Sequence, residues 1–209
     1  MGGFIIAVGT MRFYSECLRK PVSFHYVLPN DVQQFNAENN PHYKREAISL
    51  YLLHGYSGDE HDWLLMGNIV ELSSQYNLSI FTCTVGNNFY LDRDVTGRQY
   101  ASFVGEEMVR YTRKVFNLPA ELDKTWIGGL SMGGYGALHL GLTYPETFSK
   151  IIALSPALIT DELNQLEEGS ANFLANYACY REVFGPLDKL DQIARARACC
   201  SRNLLSHGD

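Results

Sequence analysis

A chain of 209 residues, 46% hydrophobic and 19% charged, has the balance of one globular domain able to bury a full core. Its net charge of −6, with no basic block, removes nucleic acid and anionic membranes from the expected partners. The apolar run "GGFIIAVG" (residues 2–9) is too short to span a bilayer and no Lys or Arg precedes it, so neither a membrane anchor nor a signal peptide is expected.

Residues 1–10 read as an extension ahead of Met11. Residues 11–29 alternate apolar and polar around Pro21, as an antiparallel pair of strands would. The Asn-rich, Pro-containing stretch 30–46 is a loop. "AISLYLLHG" (47–55) is a compact apolar run ending in Gly, the pattern of a buried strand. Within 59–76, Trp63, Met66, Ile69, Val70 and Ser73 have helical spacing; His61 and Asp62 read as its solvated first turn.

"LSIFTCTV" (78–85) is a second buried strand, and 86–100 a loop. A helix is expected over 100–116, with Phe103, Val104, Glu107, Met108 and Tyr111 in line. "KTWIGGL" (124–130) is a third strand, 132–145 a helix, and "FSKIIALSP" (148–156) a fourth strand. Strand and helix alternate, which predicts an α/β fold: a mostly parallel central sheet with helices on both faces. The whole chain is read as a single domain. Residues 157–185 hold short helical stretches suited to a cap or insert, and 190–209 form an atypical tail.

Five cysteines (Cys17, Cys83, Cys179, Cys199, Cys200) are odd in number and lack C-x-x-C spacing. Reduced thiols in the cytoplasm fit them better than a disulfide framework.

Gly129-Leu130-Ser131-Met132-Gly133 matches G-x-S-x-G at a strand-to-helix junction. A strand that turns at once into a helix forces its corner residue into a strained conformation, and the flanking glycines let strand and helix pass closely. Ser131 then projects above the carboxyl end of the sheet as a nucleophile, with the helix amides aimed at the same spot. A glycine-rich turn in a non-catalytic or phosphate-binding fold is the alternative. "LLHGYSGDEHDW" (52–63) follows the first strand of the series; its glycine turns the backbone so that the Tyr56 and Met132 amides form a two-donor oxyanion hole. His54 is read as a brace for this loop, with general base as the alternative.

"YLLHGYSG", "GLSMGGYGAL" and the intervening "NNFYLDRD…GRQYASFVGEEMVRYTRKVF" together resemble the esterase D / tributyrin esterase family of α/β-hydrolases, related to S-formylglutathione hydrolases, acetyl and feruloyl esterases and the mycolyltransferase antigens. The similarity covers about residues 11–185, and "FGPL" (184–187) at its end also resembles the family. It implies an α/β-hydrolase fold and a serine carboxylesterase acting on short-chain acyl esters, small-molecule substrates, without cofactor or metal. It carries Ser131 over as nucleophile and Tyr56 and Met132 as oxyanion donors. The S-formylglutathione hydrolase branch has "SGLTC"-like residues where this chain reads "HGYSG", which favours simple carboxylic esters over the glutathione thioester. Phe89, Tyr90 and Tyr135, with His54, are candidate walls of the substrate pocket; ordinary core packing is the alternative for each aromatic.

A serine hydroxyl needs a base, and the base an orienting carboxylate, in the chain order Ser, Asp or Glu, His. The family places them after the seventh and eighth strands. Two further strand–helix units need about 50 to 60 residues, and the segment after Leu187 is shorter, so the chain reads as lacking its C-terminal strands. His207 and Asp209 are the candidates left, in reversed order; Asp188 or Asp191 with His207 has the right order but no room for the strands between. A functionless terminus is the alternative. Three functions therefore stay open: a serine esterase, a truncated fold that binds acyl ligands or self-associates through an open sheet edge as a homo-oligomer, and an acyltransferase.

Overall fold

The computed structural model describes residues 6–30, 32–93, 96–172, 174–185 and 187. The chain divides between Ala157 and Leu158 into two compact units, where the sequence suggested one domain with an insert.

In the first unit, β1 (Ala7–Ser15) and β2 (Lys20–Leu28) pair antiparallel, from Ala7 opposite Leu28 to Ser15 opposite Lys20. Residues 7–10 are thus part of the sheet, and the turn falls before Pro21 rather than around it. The expected loop contains a short helix, α1 (Gln34–Asn39), and a 3₁₀ turn over Pro41–Lys44. β3 (Ile48–Leu53) follows, every residue buried. The helix expected over 59–76 is two helices, α2 (Asp62–Met66) and α3 (Ile69–Tyr76). Gly67 ends the first in an extended conformation, φ −114° and ψ 167°, an interruption that helical spacing alone does not report. β4 (Leu78–Cys83) is again wholly buried.

β5 (Asp92–Arg93) and β6 (Arg98–Gln99) make a small hairpin inside the second expected loop. The helix over 100–116 starts as α4 (Tyr100–Ser102), widens into a π-helical turn at Phe103–Met108 and continues as α5 (Val109–Phe116). β7 (Thr125–Leu130), α6 (Met132–Thr143) and β8 (Lys150–Leu154) complete the unit.

The sheet order is β1-β2-β4-β3-β7-β8. β4, β3, β7 and β8 run parallel to their neighbours, and the β1–β2 hairpin joins antiparallel at β4. Alternation along the strands gives the sheet two unlike faces. Val27, Leu50, Leu52 and Ile80 pack with Ile69, Trp63 and Leu64 from the α2–α3 side. Phe24, Tyr51 and Phe81 point the other way, into a ring cluster with Phe13, Tyr111, Phe116 and Phe148. Each large apolar side chain fully buried on either face contributes about 1.5–3 kcal/mol. Helices therefore cover both faces, and the fold is that of an α/β-hydrolase. Among the described residues β8 is the edge, with Ile152 and Leu154 exposed.

The π-helical turn carries a carboxylate on its inward face. Buried Glu107 accepts hydrogen bonds from the Ser15 hydroxyl (2.5 Å) and the Glu16 and Cys17 amides (2.7 and 3.4 Å), closing the β1–β2 turn. Burial, then the adjacent Glu107, pushes the Cys17 thiol up to about 12.

The second unit contains α7 (Thr160–Asn164) and α8 (Tyr177–Phe184). Asn176 caps α8 by accepting from the Cys179 amide at 2.9 Å, and the Tyr180 hydroxyl donates to Asn172 Oδ1 at 2.9 Å. Among the described residues, no helix is long and apolar enough to cross a membrane.

Candidate active site

Ser131 is the single residue between β7 and α6, with φ 56° and ψ −115°. Such a conformation costs about 1–3 kcal/mol and persists only where the surroundings over-determine it. Here they do. The Ser131 amide donates to the Leu154 carbonyl at 2.9 Å, and the Ser131 carbonyl accepts from the Tyr135 and Ala157 amides, both at 3.0 Å.

Two glycines make the corner sterically feasible. A Cβ on Gly133 would lie 2.6 Å from the Leu53 carbonyl carbon and 2.7 Å from the His54 oxygen. One on Gly129 would lie 2.9 Å from the Gly133 Cα. These are backbone atoms, which cannot rotate away. The turn after β3 passes at ordinary van der Waals distance: a Cβ built on Gly55 would stand 3.7 Å from Ser131 Cβ. The segment carrying the Tyr56 amide therefore lies against the serine, while Met132 opens α6, whose first-turn amides have no acceptor within the helix.

The His54–Glu60 turn is held by side chains from the segment that follows β4. Asn87 Oδ1 accepts from the Ser57 amide at 2.7 Å, and Thr84 Oγ1 from the Glu60 amide at 2.9 Å. The Gly58 amide closes back on the Gly55 carbonyl at 3.2 Å. Sequence reasoning missed Asn87 and Thr84; the only trace was an Asn-Asn pair in the loop at 86–100.

His54 is a brace. Its Nδ1 lies 2.7 Å from the Gly55 carbonyl and its Nε2 accepts from the Val85 amide at 3.2 Å, so Nδ1 carries the proton and both nitrogens are engaged. Burial holds its pKa below the usual 6.5, which keeps the ring neutral. The His54 carbonyl accepts from the Tyr90 hydroxyl at 3.0 Å. His54, Phe89 and Tyr90 are fully buried. These candidate pocket walls pack inside the protein, Tyr90 against Gly136 and the His54 carbonyl against Gly133 of α6. Phe89 and Tyr90 both have left-handed backbones (φ 55° and 57°) and buried rings. The half-buried rings of Tyr56 and Tyr135 flank Phe89, with centroids 6.2 and 5.6 Å away. The other candidates, His207, Asp209, Asp188 and Asp191, lie outside the described residues.

The "Putative esterase" family model matches residues 28–183, from the end of β2 into α8. The chain belongs to this esterase family. The esterase is 42% identical over 185 residues to an acetyl esterase of Caldicellulosiruptor saccharolyticus, an alignment spanning 88% of this chain and 69% of that one. Two solved structures from Staphylococcus aureus share its fold. The fluorophosphonate-binding serine hydrolase F superimposes with a TM-score of 0.69 at 24% identity, over 88% of this chain and 67% of that one. The S-formylglutathione hydrolase gives 0.68 at 24% identity, over 93% and 75%. The esterase is accordingly a serine carboxylic ester hydrolase, acting on small-molecule esters.

Proposed function

We propose that the esterase hydrolyses short-chain acyl esters, acetyl esters first among them, through an acyl-enzyme on Ser131. The carrying observation is the strained, doubly anchored Ser131 corner lying against the Gly55–Tyr56 turn. Ser131 Oγ attacks the ester carbonyl and gives its proton to a base. The Tyr56 and Met132 amides bind the resulting oxyanion, each donor contributing about 3 kcal/mol in the transition state. The alcohol departs with the proton, and water releases the acyl group by the same path in reverse. With both nitrogens of His54 engaged, general-base work falls to another histidine; His207 with Asp209 is the pair the sequence offers. The acetyl preference is supported by the 42% identity to an acetyl esterase. The partly exposed Tyr56 and Tyr135 rings, rather than Phe89 or Tyr90, suit a short acyl group beside the serine. The free thiols of Cys17, Cys83 and Cys179 support a reducing, cytoplasmic setting.

The test is turnover of p-nitrophenyl acetate and butyrate by the chain, by Ser131→Ala and by His207→Ala. Acetate turnover above butyrate, abolished in Ser131→Ala, is expected. Loss in His207→Ala as well assigns the base to the tail, whereas full activity there refutes that assignment. Equal rates for the chain and Ser131→Ala overturn the proposal.

A further inference from the structure

A second polar cluster lies on the far side of the β3-following turn, and nothing in the esterase mechanism uses it. His25 stands on β2 directly opposite Thr82 of β4. Thr82 Oγ1 donates to the Glu60 carbonyl at 2.7 Å and Thr84 Oγ1 accepts from its amide, so Glu60 is pinned beside His25 at both ends of its backbone. The next residue, His61, packs its ring against that of His25, with centroids 4.4 Å apart at 72°. One ligand atom from each of His25, Glu60 and His61 lies within 4.8 Å of the others.

One nitrogen of each imidazole already has a polar partner, and His61 Nδ1 also lies 4.0 Å from Glu60 Oε1. His25 Nδ1 sits 2.7 Å from Thr10 Oγ1, while its Nε2 is buried without a hydrogen bond. His61 Nδ1 lies 3.2 Å from Asp59 Oδ1, which also accepts from the His61 amide at 2.8 Å. A hydroxyl or carboxylate partner on one ring nitrogen is the usual outer shell of a metal-bound histidine. A buried imidazole nitrogen without a partner is uncommon, and a cation is one way to satisfy it.

We propose that His25, Glu60 and His61 form a site for one divalent transition-metal ion of the zinc class. Two imidazole nitrogens and one carboxylate oxygen suit Zn²⁺ and leave a fourth position for water. Mg²⁺ and Ca²⁺ prefer oxygen alone. The ion would bridge β2 to the turn that carries Tyr56, four residues before Glu60. Its role is structural: it ties the hairpin to the oxyanion segment and takes no part in acyl transfer.

The experiment is calorimetric titration of the chelator-stripped chain with Zn²⁺, beside thermal unfolding with and without the ion. One Zn²⁺ per chain, a raised Tm, and no displacement by excess Mg²⁺ are expected. His61→Ala changes a half-exposed side chain and leaves the fold intact by circular dichroism. It should weaken binding at least about tenfold, as should His25→Gln. Asp59→Asn, which alters only the outer partner, should weaken it by about tenfold or less. Absence of binding overturns the proposal, as does binding of unchanged affinity in folded His61→Ala.

Discussion

Two strand-to-helix junctions meet at the serine, and they are built in opposite ways. Between β7 and α6 the chain turns on one residue, and backbone packs directly on backbone: Gly129 on Gly133, Gly133 on Leu53 and His54. Between β3 and α2 it takes eight residues, and side chains do the holding: Asn87, Thr84, Thr82 and the His54 ring. A corner made of missing side chains tolerates no addition, because no rotamer can relieve the overlap. A turn made of hydrogen bonds yields one bond at a time.

That contrast is sharpest at Gly133. Gly133→Ala should cost about 3 kcal/mol or more by driving a methyl group into the Leu53 and His54 carbonyls; urea unfolding measures this, and a loss under 1 kcal/mol would break the distinction. Ser131→Gly should abolish ester turnover yet raise stability by about 1 kcal/mol, since glycine adopts φ 56° without strain. A lowered Tm in that variant would mean that the corner is relaxed rather than forced. On the other junction, Asn87→Ala removes the acceptor of the Ser57 amide. It should cost about 1 kcal/mol and lower kcat/KM by about tenfold, with the fold intact.

The smallest effect belongs to His54. Burial keeps its imidazole below the usual 6.5, so the unfolded chain binds a proton that the folded chain refuses. Its contribution is complete above the ordinary histidine value and is lost as pH falls through 6.5 toward the lower folded value, at no more than about 1.4 kcal/mol per pH unit. Denaturant midpoints between pH 7.5 and 5 should show this slope, and His54→Asn should flatten it.

The same contrast explains what could be read from residues alone. G-x-S-x-G sits in consecutive positions, so the Ser131 corner, its glycines and the α/β alternation were legible in one line of sequence. The braces of the second junction come from residues 82–90, some 30 positions away from the turn they hold. No local pattern marks Asn87 or Thr84 as its support. His25 and Glu60 are equally remote in sequence and meet only because β2 lies beside β4. Phe89 and Tyr90, expected as pocket walls with core packing as the alternative, are buried, and no sequence pattern marks the left-handed backbone at either.

The Glu107 carboxylate has a consequence in time as well as space. The β1–β2 hairpin precedes the other described strands of the sheet in chain order, and it pairs locally. The group that satisfies its turn arrives 92 residues after Ser15. Until then the Glu16 and Cys17 amides must be solvated, so the hairpin is finished only once the π-helical turn docks. Early hairpin pairing is thus provisional, and the long-range contact is the step that commits it.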